Sequence, residues 1–128
     1  MLKYPADIAR ASYLAYARKD RAAIESLIAE DFHFTSPLDN RLDRKTYFER
    51  CWPNSAAITD FKFIKVVTQG EQVFVVYEGS SVAGRKFRNT SLLTIRNGKI
   101  VEVEVYFGWT IPHEAAEGGF LNQGTRGS

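Results

Sequence analysis

The sequence predicts an α+β fold in which three N-terminal helices pack on a strongly curved, mostly antiparallel sheet. Helix patterns occupy the first part of the chain, and strand patterns dominate from residue 61 onward. Asn97-Gly98 is the strongest short hairpin signal, and apolar and polar residues alternate on both sides of it. A run of helices followed by a run of strands is typical of helices that cover one face of an antiparallel sheet. The length of 128 residues suits a single domain, 1–128.

Two helices are predicted at the start of the chain. Pro5 suits the first turn of helix one, where a missing N–H costs nothing, and this helix is predicted to run to Lys19. Asp20 then supplies the side-chain oxygen of an N-cap, which accepts from the free N–H groups of the next helix. The apolar residues of this second helix recur as one stripe, and Glu30-Asp31 is its predicted end.

A short strand, a loop and a third helix are predicted next. Residues 32–36 alternate between apolar and polar side chains, which indicates a strand, and Pro37 stops it. Residues 36–42 read as a loop. Asp43 is the predicted N-cap of helix three, and Pro53 closes that helix.

The rest of the chain is predicted to form a meander of four strands. The last strand has two distinct faces, with Val103 and Val105 on one and Glu102 and Glu104 on the other. Helices must therefore cover the valine face. The glycine-rich residues 109–128 follow as a tail that is expected to be extended or mobile. The predicted strands are 61–68, 72–81, 87–95 and 101–107.

The composition argues against several classes of function. The formal charge is +2 and the basic residues are scattered, so no nucleic-acid-binding surface is expected. No apolar run is long enough for a membrane span, and no secretory signal is evident. Cys51 is the single cysteine, which rules out an intrachain disulfide and suits a reducing cytoplasm. The two histidines and the cysteine lack the spacing of metal ligands, so neither a metal nor a cofactor is expected.

The order of elements and several short motifs resemble the NTF2-like superfamily and, within it, the SnoaL-like branch. The matching pieces are the helix junction Lys19-Asp20, the strand end 34–37 (FTSP), the helix end Trp52-Pro53 and the closing segment 98–108 (GKIVEVEVYFG). The resemblance implies a cone, in which the sheet curls around helix one and leaves an apolar cavity open at one end. It also implies a homodimer packed through the outer face of the sheet.

The ketosteroid isomerases of this superfamily provide a sharp comparison. Aligned on the resemblance, their general-base Asp falls on Ser36, their oxyanion Tyr on Ser12 and their second Asp on or near Ser91. A serine hydroxyl is not a base near pH 7 without a partner. Tyr13 is one residue away, which on a helix is a rotation of about 100°. The acid/base Asp that SnoaL-type cyclases carry late in the chain is replaced by Trp109-Thr110. The sequence is therefore predicted to lack both sets of catalytic residues.

A ligand cavity is expected on the inner face of the sheet, with a plain hydrophobic core as the alternative. The strand register and helix faces select its lining. The predicted ligand-binding residues are Ser12, Tyr16, Phe34, Ser36, Phe48, Trp52, Phe74, Val76, Phe87, Asn89, Ser91, Val103, Val105 and Phe107.

Glu78 and Asp39 are the candidate catalytic carboxylates. Glu78 would lie on the cavity face near Asn89, where desolvation would raise its pKa into the range useful for acid/base chemistry. The alternative is a register shift of one residue, which would put Tyr77 inside and Glu78 on the surface. Asp39 follows the first strand and could reach the cavity mouth as a displaced base. The alternative for Asp39 is a solvated loop aspartate.

Two functions follow from this interpretation. The first is a protein that binds a hydrophobic small molecule and that, as an enzyme, would carry out isomerase- or cyclase-type acid/base chemistry, with Asn89 or Tyr16 holding the oxyanion. The second is a non-enzymatic interaction module whose sheet face binds a partner and whose cavity is filled by Phe and Trp side chains. The outer sheet face is also the expected homodimer interface. Its predicted members are Val73, Val75, Tyr77, Arg88, Arg96, Glu102, Glu104 and Tyr106.

Overall fold

The computed structural model describes residues 4–122 and confirms the α+β fold class. Three helices lie against one face of a curved six-stranded sheet. The helical elements are α1 (Pro5–Ala17), α2 (Arg21–Leu27), α3 (Arg44–Arg50) and a 3₁₀ helix (Trp52–Ala57). The strands are β1 (Ile28–Ser36), β2 (Asp39–Asp43), β3 (Ile58–Gln69), β4 (Gln72–Ser81), β5 (Lys86–Arg96) and β6 (Lys99–Ile111).

The sheet is antiparallel except at one junction. The strand order is β2-β1-β6-β5-β4-β3, and β1 runs parallel to β6 while every other pair is antiparallel. The last strand therefore lies in the middle of the sheet and joins the β1–β2 hairpin to the β3–β5 meander. None of the described helices is long and apolar enough to span a membrane.

The two predicted helix caps are confirmed. The Asp20 carboxylate accepts from the Ala23 N–H at 3.1 Å, and the Asp43 carboxylate accepts from the Thr46 N–H at 2.8 Å. The predicted ends of the helices are less accurate. Helix α1 ends at Ala17, because Lys19 already has a left-handed backbone with φ of 58°.

Helix α2 is shorter than predicted, and β1 begins where the helix was expected to continue. Ile28 continues the apolar stripe in the sequence, but its backbone is extended, and it pairs with Ile100 of β6. Ile28 is buried by this pairing. Contacts with a distant strand thus override the local helical pattern.

The predicted loop 36–42 is wrong, because Asp39–Asp43 forms strand β2 and pairs with β1. The turn before it is held by side chains of β1. Ser36 Oγ accepts from the Leu38 N–H at 3.1 Å, and Thr35 Oγ1 accepts from the Arg41 N–H at 3.1 Å. β2 is an edge strand with few residues of high strand propensity, so the sequence pattern does not reveal it.

The predicted register of β4 is also wrong by one residue. Val73, Val75 and Tyr77 point inward and are at most 5% exposed, so they cannot belong to the outer dimer surface. Phe74, Val76 and Glu78 alternate with them and point outward. Residues 73–77 are apolar at every position, so the sequence pattern does not decide which alternate residues point inward. We call these two possible orientations the phases of β4.

A close contact makes glycine necessary at position 79 in the observed orientation of β4. Gly79 faces inward opposite Phe87 of β5, and a Cβ atom at this position would overlap the ring of Phe87, whose Cε1 would lie only 2.7 Å away. A side chain larger than hydrogen does not fit beneath this ring. The alternation of the strand then places Tyr77 inside as well.

Strand β6 runs four residues beyond its predicted end, to Ile111. A β-bulge at Gly108 allows this extension, since Asn89 pairs with Phe107 while Arg88 pairs with Trp109. Asn89 Oδ1 accepts from the free Gly108 N–H at 3.1 Å. Residues 112–122 follow without helix or strand, and the rest of the predicted tail, 123–128, lies outside the described residues.

Candidate functional site

A cavity of about 670 Å³ opens between the inner face of the sheet and the helices. Leu38, Phe107 and Trp109 border its mouth, and they are 73%, 53% and 49% exposed. Buried residues such as Ile28 and Ile100 also line it. The space is therefore not a filled core but a pocket that extends from buried residues to exposed ones.

Most of the predicted ligand-binding residues line this cavity. They come from α1, β1, β5 and β6, whose inward faces were predicted in the correct phase. The predicted residues in the lining are Ser12, Tyr16, Phe34, Ser36, Phe87, Asn89, Ser91, Val103, Val105 and Phe107, together with Asp39.

Four predicted ligand-binding residues lie elsewhere. Phe74 and Val76 are on the outer face because of the β4 phase. Phe48 is buried beneath the guanidinium groups of Arg21 and Arg44, at 4.5 and 5.5 Å from its ring centre. Trp52 packs edge-on against Tyr16, with ring centres 5.6 Å apart, and is not part of the lining. These four placements on the cavity face were wrong.

On α3, the residue that faces the cavity lies outside the predicted ligand-binding set. Tyr47 lines the cavity, and its ring packs against those of Phe32 and Phe34, with ring centres 5.1 and 5.2 Å apart. Phe48 is next to it on the helix and therefore points about 100° away. Because both residues are aromatic, composition alone does not identify which one faces the cavity.

The placement of Glu78 on the cavity face is wrong. Its carboxylate lies on the outer face and accepts a hydrogen bond from Arg88 Nη2 of the neighbouring strand. This hydrogen bond holds the pKa of Glu78 below its ordinary value, the opposite of the shift expected for a desolvated acid. Glu78 therefore has neither the position nor the protonation state expected of a cavity acid.

Asp39 is the predicted carboxylate that the structure does place at the cavity. Its side chain is only 9% exposed, so it is not a solvated loop residue. Ser36 Oγ donates to Asp39 Oδ2 at 2.8 Å, and Arg50 Nε donates to Oδ1 at 2.8 Å. Burial raises the pKa of Asp39, but the hydrogen bonds from Arg50 and Ser36 outweigh burial and hold it below the ordinary value. The carboxylate is therefore ionised at neutral pH.

Tyr13 and Tyr77 line the cavity although neither was among the predicted ligand-binding residues. The Tyr13 ring is held by Phe61, Phe63 and Tyr77, with ring centres 5.2, 5.7 and 4.8 Å away. Ser12 also faces the cavity, so the inner stripe of α1 is wide enough for both neighbours. An apolar stripe that spans about 100° or more around the helix axis is normal for a helix that packs on a sheet. Tyr13, one residue from Ser12, could therefore be expected to face the cavity.

The hydroxyls of Tyr13, Tyr16 and Tyr47 are held in their neutral form. Burial raises the pKa of Tyr13, Tyr16 and Tyr47 well above the ordinary value. Tyr16 donates to the carbonyl oxygen of Cys51 at 3.2 Å. Tyr16 is therefore committed to the backbone at one side of the cavity, whereas the Tyr13 hydroxyl interacts with the side chains of Ser91 and Tyr77.

The remaining ionisable groups at the cavity are Cys51 and Glu114. Burial, together with the negative charge of Asp39, raises the pKa of the Cys51 thiol to about 11 despite the opposing charge of Arg50. Glu114 lines the cavity from the segment after β6 and is not among the predicted site residues. Residues 4–122 contain no cluster of three or more His, Cys, Asp or Glu side chains that could hold a metal ion.

A curved sheet that encloses an open apolar cavity beneath three helices defines an NTF2-like protein. The chain belongs to the SnoaL-like family within this superfamily, because the profile described as "SnoaL-like domain" matches residues 9–103. No curated protein sequence matches the chain.

Solved structures support the fold. An NTF2-like protein of unknown function from Cytophaga hutchinsonii is 20% identical, with a TM-score of 0.67, and the match covers 84% of this chain and 93% of that one. An LEH-like epoxide hydrolase from M. tuberculosis is 14% identical, with a TM-score of 0.70 and coverage of 81% and 82%. A de novo designed protein with a curved β-sheet is 15% identical, with a TM-score of 0.71 and coverage of 84% and 88%. Since a designed scaffold matches as well as an enzyme, the similarity shows the fold alone.

Proposed function

We propose that this chain binds a hydrophobic small molecule in the cavity. The observation that carries the proposal is the cavity itself, whose volume of about 670 Å³ lies within the range of known small-molecule sites. Its lining is mainly aliphatic and aromatic, with a few hydroxyl, amide and carboxylate groups. This combination suits a ligand that is apolar over most of its surface and polar at a few points.

Binding is tested with naphthalene as a probe, measured by equilibrium dialysis. Val105 lies on the cavity wall, so the Val105→Trp variant is expected to weaken binding about ten-fold by occupying part of the space. Glu104→Gln on the opposite face of the same strand is the matched control and should leave affinity unchanged. Failure of the wild type to bind naphthalene, or equal binding by Val105→Trp, would contradict the proposal.

The proposal extends to acid/base chemistry on the bound molecule, with Asp39 as the proton acceptor. Asp39 is ionised, oriented by Ser36 and Arg50, and placed at the cavity rather than in solvent. A fixed carboxylate beside an apolar ligand satisfies the geometric condition for a general base. In this scheme Ser36 and Arg50 orient the base and do not exchange protons with the ligand.

Asp39→Asn tests this role, because it keeps the shape of the side chain and removes the charge. The variant should retain naphthalene affinity within about two-fold while losing at least about 100-fold in turnover of any substrate found for the wild type. Glu78→Gln is the matched control, since Glu78 lies on the outer face, and should keep full turnover. Full activity of Asp39→Asn would remove Asp39 from the mechanism.

A homodimer through the outer sheet face is a second proposal that is independent of catalysis. Val67, Phe74 and Leu92 are cross-strand neighbours on this face, and Phe74 is 37% exposed. Analytical ultracentrifugation of Phe74→Lys should show a shift towards monomer. Leu14→Lys on the exposed side of α1 is the control and should sediment like the wild type. A monomeric wild type would refute this interface.

A further inference from the structure

The glycine at position 79 lies beneath an aromatic ring that lines the cavity. Gly79 of β4 and Phe87 of β5 are cross-strand partners, and Phe87 is one of the lining residues. The three atoms nearest to a Cβ atom built at Gly79 all belong to the far end of this ring, namely Cζ, Cε1 and Cε2. The ring therefore leans along the sheet and occupies the space that a side chain of residue 79 would fill. In this position it leaves the cavity open in front of it.

The backbone of β4 gives no reason for a glycine at this position. Glycine is unfavourable inside a strand, because it loses more backbone entropy on folding than any other residue and has no side chain to pack. Gly79 also lacks the positive φ angle of the turn glycines Gly70 and Gly98. A glycine within a strand often marks the close approach of another group. Here that group is the ring of Phe87.

Neighbouring side chains determine where the Phe87 ring would go if position 79 carried a side chain. Tyr77 packs edge-on against Phe87, with ring centres 6.5 Å apart, and Tyr77 is itself buried. Tyr13 and Phe61 pack against Tyr77 in turn, with ring centres 4.8 and 5.5 Å away, so Tyr77 is not free to yield. The sheet lies behind the Phe87 ring. The open direction for the ring is therefore the cavity that it lines.

The displacement is large on the scale at which pockets discriminate between ligands. With a Cβ atom at position 79, Cε1 of Phe87 would lie 2.7 Å from it. Carbon atoms in contact are normally about 3.5–4.0 Å apart, so the ring would have to retreat by about 1 Å. In a hydrophobic pocket, the space of a single methylene group is worth about ten-fold or more in discrimination.

The Gly79–Phe87 pair lies on the side of the cavity that is near its mouth. Phe87 pairs on its other side with Thr110 of β6, which directly follows the mouth residue Trp109. Thr110 lines the cavity as well. A ring that moved forward at this point would narrow the cavity close to where a ligand enters.

We propose that the Gly79–Phe87 pair determines how broad a ligand the cavity admits. With glycine at position 79 the ring leans back on the sheet and the cavity accepts broad ligands. With a larger residue there, the ring moves forward and restricts the cavity to narrow ones. Phe87 contacts the ligand, and Gly79 acts through Phe87. This proposal rests on the proposed function, because it requires a ligand in the cavity, and it specifies which residues set the size of that ligand.

The test compares naphthalene with pyrene, a broader hydrocarbon of the same apolar chemistry. Equilibrium dialysis should show that the wild type binds both, and that Gly79→Ala lowers the ratio of pyrene affinity to naphthalene affinity about ten-fold. The double variant Gly79→Ala/Phe87→Leu should restore the ratio, because it lacks the displaced ring. It also keeps the test valid if Gly79→Ala alone does not fold, since a folded double variant with the wild-type ratio would identify the ring as the obstacle.

The matched control is Val75→Ala, which lowers stability without touching the contact. Val75 lies on the same inward face of β4, is fully buried and does not line the cavity. Its variant should therefore keep the wild-type ratio of affinities. Circular dichroism at the temperature of the dialysis checks that each variant is folded.

The outcomes separate this proposal from the proposed function. If the wild type binds neither hydrocarbon, the proposed function is wrong and this proposal falls with it. If the wild type binds naphthalene but not pyrene, only the width assigned to the cavity is wrong. An unchanged ratio for Gly79→Ala, or a lowered ratio that the double variant does not restore, would overturn the role of the pair. An equal fall in the ratio for Val75→Ala would assign the effect to lost stability and would overturn it too.

Discussion

Replacing Gly79 by alanine tests the inward phase of β4, because the two possible phases predict opposite signs for the change in stability. In the structure the new methyl group would overlap the ring of Phe87, with Cε1 at 2.7 Å. If Gly79 pointed outward, the same substitution would meet solvent. Alanine would then stabilise the strand slightly, because glycine loses more backbone entropy on folding.

The magnitude follows from what Phe87 can do. Inserting a methyl group into a packed site typically costs about 1–3 kcal/mol. The Phe87 ring borders the open cavity and can swing towards it, so the cost should lie at the low end, about 1–2 kcal/mol. For a chain of this length this corresponds to a fall of about 4–8 °C in the midpoint of thermal unfolding.

The assay is thermal unfolding followed by circular dichroism for Gly79→Ala, Phe87→Leu and the double variant. If the clash is with the ring, the double variant should recover about 1 kcal/mol relative to the sum of the single changes. Additive single effects would show that Phe87 is not the partner. An unchanged or raised midpoint for Gly79→Ala would refute the inward phase and, with it, the outward placement of Glu78.

Three further predictions concern stability and reactivity. Ser91→Ala should lower the free energy of unfolding of the ligand-free protein by about 1 kcal/mol, because it removes a side-chain partner of the Tyr13 hydroxyl, and urea titration measures this. Asp39 has a depressed pKa, so its contribution to stability is present above the unfolded pKa of about 3.9 and is lost as the pH falls through the lower folded value. The difference in unfolding midpoint between the wild type and Asp39→Asn should therefore shrink as the pH falls from about 5 to 2. Since the pKa of Cys51 is about 11, its alkylation by iodoacetamide should be slow at pH 7 and accelerate about ten-fold per pH unit up to pH 10.

Each of these predictions has a clear contradicting result. An unchanged or raised stability of Ser91→Ala would mean that the Tyr13 hydroxyl does not depend on Ser91. A difference between the wild type and Asp39→Asn that stays constant across the acid range would show that the carboxylate is not stabilised by Arg50 and Ser36. Rapid alkylation of native Cys51 at pH 7 would show that the thiol is neither buried nor perturbed.

Local features of the chain were predictable because neighbouring residues determine them. Asp20 and Asp43 cap the next helix through N–H groups three residues away. Asn97 and Gly98 both adopt the positive φ angles that a tight hairpin requires, 54° and 76°. The order of the helices and of every strand except β2 could therefore be read from the sequence, and with it the fold class.

The composition of the site depends on contacts that no local pattern contains. The observed phase of β4 requires glycine at position 79, because Phe87 of another strand lies against it, whereas the apolar residues of β4 are compatible with both phases. Asp39 lies at the cavity, where Arg50 of α3 pairs with it, and this contact joins residues 11 positions apart on different elements. These are tertiary contacts. They place the Glu78 carboxylate on the outer face of the sheet and the Asp39 carboxylate at the cavity.

The parallel contact between β1 and β6 has a consequence for how the protein is made. Ile28 meets Ile100, so β1, which pairs at once with β2, cannot find its second neighbour until the last strand has been synthesised. Until then the hairpin and the meander each expose an unpaired edge. Chaperone dependence during translation should therefore be concentrated in the interval before Ile111 emerges, and a nascent chain stalled within β5 should be more sensitive to protease than one released after β6.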